Sequence, residues 1–202
     1  MVSYRLQLRQ ATHEYHVRLN HHPFLKDLTK PIFTLARYKA LLLAYSHLYR
    51  SIEEVIVRFV LSNDVDFDYY EREKFSMLIR DIDYFKLDNV KFGLTKVSTL
   101  TVPKIDNISE LVGLLYVIEG STLGGQHISR ALSDCHGLTS DTGACFFNGY
   151  GEQTLKRWEV FLEFFDSVIQ DQDSFEIAKD KACHTFQTFQ SALDCCLPLL
   201  SD

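Results

Sequence analysis

The stretch YVIEGSTLGGQHISRAL, residues 116–132, decides how the chain is read. Leu114, Leu115, Val117 and Ile118 lie before its glycines, and Ile128, Ala131 and Leu132 after them, in helical spacing. Yet Gly120, Gly124 and Gly125 sit in the middle. An interior glycine costs a helix about 1 kcal/mol relative to alanine. Three of them cost roughly 3 kcal/mol, a large share of a domain's ~5–15 kcal/mol stability. Residues four apart on a helix differ by roughly 40° in direction, and residues seven apart by roughly 20°. Gly113, Gly120 and Gly124 therefore share one narrow strip. Such a strip admits either a neighbouring helix at close range or a flat ligand lying on the backbone. Gly120 and the Gly124–Gly125 pair can also bend the helix.

Outward from this stretch the pattern stays helical. Residues 3–20 carry Leu8, Thr12, Tyr15 and Leu19 at steps of three and four, and Pro23 marks the end. A long segment, about 34–61, is apolar on one side through Leu41, Leu42, Tyr45, Leu48, Ile52, Val55 and Ile56. A third runs about 68–85, and 86–106 reads as a connection containing Gly93 and Pro103. Asn107, with Glu110 three residues on, predicts the N-cap of the glycine-bearing helix, which continues to about 134. The following stretch, CHGLTSDTGACFFNGYG, reads as loop. Helices over about 152–170 and 175–197 follow, the second entered through Ser174. No repeat or linker divides the chain. The expected architecture is one all-α domain, a multi-helix bundle over residues 1–202.

Composition narrows the function. The 202 residues are 46% hydrophobic, enough for a substantial core, and only 4 Pro and 9 Gly disfavour a loop-rich fold. The net charge of −6 argues against nucleic acid as the main partner. The five cysteines are odd in number and lack CxxC spacing, so reduced thiols in a cytoplasm are the simplest reading. The N-terminus has no signal-peptide core, and no apolar run approaches the ~20 residues that span a bilayer. A soluble cytoplasmic protein without membrane attachment is expected.

Three groups of residues have chemistry to offer. THEYHVRLNHH carries His13, His16, His21 and His22, with no acid at a convincing ligand spacing for a multi-histidine metal site. His16 falls on the apolar stripe and is expected to face the interior. A buried imidazole needs a partner, either a core hydrogen bond or a metal. Arg9 lies on nearly the same azimuth, about 10 Å further along the axis. It is either a solvated charge or the partner of an anionic group two turns from a metal. Heme has that shape, with a central iron, flat apolar faces and carboxylates at one edge. In GYGEQTLKRWEVF, Lys156 and Arg157 flank Trp158, as a solvated face or as cations beside a ligand's carboxylates.

Together these residues resemble the heme oxygenase family, most closely its bacterial, biliverdin-forming members. QATHEYHVRLNHHPFL resembles the first helix, whose histidine ligates heme iron at the position of His16. YSHLYRSIEEVI resembles the second helix. YVIEGSTLGGQHI resembles the kinked distal helix over the opposite heme face, and FFNGYGEQTLKRWEVF the C-terminal segment. The resemblance covers essentially the whole chain. It implies heme b held between a proximal first helix and a glycine-rich distal helix, as both cofactor and substrate. O2 and electrons from a ferredoxin or flavin reductase would convert it to biliverdin, carbon monoxide and ferrous iron. It implies His16 as the iron ligand, and Gly120, Ser121, Gly124 and Gly125 as the catalytic distal surface. Amides near Gly120 and Gly124 are implied donors to bound O2. Arg9, Tyr116, Lys156, Arg157 and Phe186 are implied heme contacts, and the protein a monomer or weak dimer. Two departures stand out. Ser121 replaces the aspartate that many animal members carry after the first distal glycine, and Asn20 replaces a carboxylate that some members place beside the ligand. The competing functions are a heme-storage protein on the same fold, a thiaminase-like enzyme needing a catalytic cysteine, and an interaction-only bundle.

Overall fold

Four helices start where a polar side chain bonds one of the first free amides. In the computed structural model, which describes residues 3–87, 100, 102 and 104–200, Ser3 caps α1 (Tyr4–Asn20) and Thr34 caps α2 (Leu35–Asn63). Asn107 accepts the Glu110 amide at 3.0 Å and opens α4 (Ile108–His136), which closes on left-handed Gly137. Asp171 caps α7 (Gln172–Asp194). Ser174, expected to be the entry residue of this last helix, is instead the return partner of a capping box with Asp171.

Two helices borrow their caps from distant carboxylates. α3 (Phe75–Phe85) has no side-chain cap of its own. Buried Glu53 of α2 accepts the amides of Lys74 and Phe75 at 2.6 and 3.0 Å, and the Tyr69 hydroxyl at 3.1 Å. The expected helix over 68–85 therefore begins late, after a 3₁₀ turn at Tyr70–Arg72. Likewise α5 (Cys145–Asn148), a short helix inside the expected loop, is capped by Asp81 of α3 through the Cys145 and Phe146 amides at 2.8 and 2.9 Å. α6 (Thr154–Val168) completes the set, and no strand occurs among the described residues. The expected connection 86–106 lies largely outside them.

α4 packs most extensively on α7, and also on α5 and α6, while α2 packs on α3 and α7. Leu41–Ala44 and Leu48 of α2, Leu111–Leu115 of α4 and Ala178, Ala182, Phe189 and Leu193 of α7 form the core. α1 lies along α7 and touches α6. A cleft lined by Arg9 of α1 and Tyr116 of α4 opens between these two helices.

Candidate functional site

α1 buries Leu8 and Thr12 completely, and Tyr15 and Leu19 in part. His16 stands about 40° round from Thr12. That rotation takes it off the buried line, so its side chain is exposed rather than inward-facing as its place on the stripe suggested. Phe186 of α7 meets its ring edge-on at 6.1 Å between centroids, and the Asn20 amide lies 3.4 Å from it. Crowding of the ring, and then the charge of His13, hold its pKa below the ordinary 6.5. The imidazole is therefore neutral near neutral pH, as a metal ligand must be. His21 and His22 of the same segment are engaged elsewhere. His22 accepts the Phe24 amide and binds Asp194, and His21 binds the Val17 carbonyl. Among the described residues no three His, Cys, Asp or Glu side chains form a metal cluster.

The glycines divide into two kinds. A methyl group on Gly113 would collide with the Ala178 backbone of α7, and one on Gly125 would lie 2.8 Å from the Phe147 carbonyl oxygen. These two positions exist for packing. On Gly120 a methyl would meet only the Trp158 ring at 3.7 Å, and on Gly124 nothing within 4 Å. Gly120 and Gly124 thus present open backbone surface, whereas the expected ligand access at Gly125 is corrected, since Phe147 fills that side. α4 stays helical through all three glycines of the stretch, none with positive φ. Amides inside a continuous helix bond to the carbonyls one turn back, so they are not available as the expected donors to O2. What Gly124 offers is bare backbone surface.

Ser121 is exposed between these two open glycines. Its hydroxyl donates to the Ile118 carbonyl at 2.7 Å, and the Tyr49 hydroxyl lies 3.4 Å away. With its own proton so placed, Ser121 accepts from Tyr49. Burial pushes the Tyr49 hydroxyl well above the usual tyrosine range, so it stays a donor.

Arg9, exposed on α1, faces a cleft of 280 Å³ lined by Arg5, Tyr116, Trp158, Leu162 and Phe165. Its charge acts on the Tyr116 hydroxyl, which also bonds Thr12. Lys156 is exposed at the start of α6. Arg157 does not join the Arg9 cleft. It donates to the Glu71 carbonyl and carboxylate at 3.0 and 3.2 Å and lies 4.9 Å from the Tyr150 ring centre, in a separate cleft with Asp66, Asp68 and Glu163. Its expected role beside a ligand carboxylate is accordingly replaced by a structural one.

Sequence reasoning missed the buried group beneath Gly120. Glu119 is 1% exposed. One of its oxygens accepts from Arg72 at 2.6 Å, the other from Lys74 at 2.7 Å and Tyr150 at 2.9 Å. A lone acid inside the apolar run LLYVIEG was the available signal, since a buried carboxylate demands cationic partners.

The heme oxygenase family profile matches residues 3–194. The chain belongs to the heme oxygenase family. Solved heme oxygenases share its fold. The Leptospira interrogans structure has a TM-score of 0.77 at 19% identity, covering 95% of this chain and 98% of that one. The NO- and CO-bound Neisseria meningitidis heme oxygenase scores 0.75 at 14% identity, covering 96% and 91%. A Synechocystis heme oxygenase in complex with heme scores 0.70 at 18%, again covering 96% and 91%. No curated protein sequence gives a significant match. Family and fold support a heme oxygenase function and do not favour the storage alternative. A thiaminase-like reading is further weakened because burial raises the thiols of Cys145, Cys183 and Cys196, the last to about 12. Among the described residues no helix is long and apolar enough to cross a membrane.

The residues present fit heme. α1 carries a neutral imidazole with an arginine two turns along from it, and α4 carries side-chain-free backbone surface.

Proposed function

We propose that the chain binds heme b in the gap between α1 and α4 and cleaves it oxidatively to biliverdin, carbon monoxide and ferrous iron. O2 is the co-substrate, and electrons come from an external donor of the ferredoxin or flavin-reductase class. Two observations support this reading, a neutral imidazole at His16 on α1 and open backbone surface at Gly124 on α4. When bound, heme supplies both the iron at which O2 is reduced and the ring that is cut.

The chain's own residues then have defined tasks. His16 offers a neutral ring nitrogen to iron, and Phe186 limits how its ring can turn. Asn20 supplies an uncharged neighbour, so the imidazole gains less anionic character than beside a carboxylate. Arg9 pairs with a heme carboxylate, and Tyr116 lines the same edge. Gly120 and Gly124 let the distal helix cover a heme face closely, leaving attack open at one edge. Ser121, which accepts from Tyr49 behind it, keeps a lone pair that can accept from an ordered water. Five cysteines without a disulfide suit a reducing cytoplasm.

An anaerobic heme titration, followed by reductant and air with chromatography of the pigment, tests the proposal. The expected result is an imidazole-ligated heme spectrum that decays to biliverdin. His16→Ala loses that spectrum and most turnover, and added imidazole restores part of each. Stable binding of heme without any bilin contradicts the enzymatic reading. Retention of the wild-type spectrum in His16→Ala contradicts the ligand.

A further inference from the structure

The open segment of α4 is short and intrinsically weak as helix. Gly120 and Gly124 each cost helix stability, yet the proposed chemistry needs this segment at a fixed distance from His16. Its two ends are held from behind. At one end Glu119 is fixed by Arg72 and Lys74, from the turn before α3, and by Tyr150. Lys74 is fully engaged, donating to Glu119, to the Tyr150 hydroxyl at 2.8 Å and to the Arg72 carbonyl at 3.0 Å. With Glu53 capping α3 beside them, two cations face two carboxylates, so the burial is charge-balanced. At the other end Gly125 admits the Phe147 carbonyl oxygen, and Gln126 donates to the Asn148 carbonyl at 2.6 Å and to the Thr154 hydroxyl at 3.2 Å. Phe147 and Asn148 end α5, Tyr150 follows it and Thr154 opens α6, so residues 147–154 are taken together as the α5–α6 connection.

We infer that the α5–α6 connection is a two-point clamp, gripping Glu119 and Gln126 so that residues 120–124 form a rigid ledge over the heme. Tyr150 and Gln126 are positioning residues: each acts on the ligand only through the helix it holds. The inference rests on the proposed function for its purpose, though not for its geometry. It also explains why Gly124 and Gly125 are adjacent. The first leaves the ledge bare, and the second lets the clamp close.

Tyr150→Phe removes one hydroxyl and keeps the ring against Arg157. Gln126→Met removes the second grip at similar volume and disturbs no charge, and so serves if Tyr150→Phe folds poorly. Hydrogen exchange in the heme-free full chain should rise about tenfold or more in peptides covering 119–126, while peptides of α2 and α7 exchange as in wild type. In the ferrous CO complex, the C–O stretching band should broaden or split as the distal surface takes several positions. A uniform rise in exchange across all helices with an unchanged CO band would show ordinary stabilising contacts and overturn the clamp. Unchanged exchange at 119–126 would overturn it as well. If wild-type protein binds no heme, the functional proposal fails, and the exchange measurement still decides on the clamp.

Discussion

Gly124 and Gly125 are consecutive residues of one helix, and a methyl group meets opposite fates on them. On Gly124 it would point into open space, whereas on Gly125 it would press on the Phe147 carbonyl oxygen at 2.8 Å. A helix turns by roughly 100° per residue, enough to carry one glycine to open surface and leave the next against the α5–α6 connection. The same division separates Gly120 from Gly113. A run of glycines thus contains two devices, one for bringing backbones together and one for keeping a surface bare. Only the second bears directly on a ligand.

Alanine substitution separates the devices, and its largest effect belongs at Gly113. The collision there involves the backbone of Ala178 on the helix that α4 packs against most. Gly113→Ala should destabilise the heme-free protein by ~3 kcal/mol or more, and Gly125→Ala by ~1–3 kcal/mol, as overpacked sites do. Urea unfolding without heme measures both. For either variant, turnover per folded, heme-loaded molecule should fall far less than yield. Wild-type stability at Gly113→Ala would break the comparison at its packed side.

At the open side, Arg9→Glu places a negative charge where the account puts a heme carboxylate. Heme affinity should drop several-fold, least at high salt because the site is exposed. The bilin isomer mixture should also change as heme rotates in the gap. Heme titration and chromatography read these outcomes, and no change in either removes Arg9 from the site.

A smaller effect concerns the carboxylates behind the packed side. Burial raises the Glu53 pKa above its ordinary 4.5, against the pull of the Lys74 and Phe75 amides, and raises Asp81 above 3.8. Each binds its proton more tightly in the folded protein. Their contribution to stability is therefore full below those ordinary values and is lost as pH rises through the folded pKa. Unfolding free energy should show a negative slope with pH in that window, and Glu53→Gln should flatten the slope whatever its offset. An identical slope in the variant would show that Glu53 titrates as an ordinary surface acid.

What could be read in the chain follows from the range of each interaction. The bounds of α1, α2 and α4 are set by local caps and periodicity, so Ser3, Thr34 and Asn107 announce them. The strip Gly113–Gly120–Gly124 also follows from helical azimuth. Which of its members stay bare does not, because the deciding atoms are backbone atoms of Ala178 and Phe147 on other elements. His16 illustrates a limit of the stripe argument. A rotation of about 40° from Thr12 is invisible in a tally of apolar spacings, yet it moves the imidazole from core to surface. Glu119 escaped notice because Arg72 and Lys74 stand 47 and 45 residues away. Arg157 was misassigned for a related reason, since its Glu71 partner stands 86 residues away.

The central claim is that Gly124 is bare for the sake of heme. Gly124→Ala tests it most directly, by melting of the heme-free protein measured beside heme binding and bilin formation. Alanine gains up to about 1 kcal/mol of helix propensity and meets no neighbour, so the heme-free variant should melt at or slightly above the wild-type temperature. Heme binding or turnover per bound heme should fall, because the new methyl group stands on the surface the ligand covers. A lower melting temperature with unimpaired binding and turnover would contradict the account and make Gly124 one more packing residue.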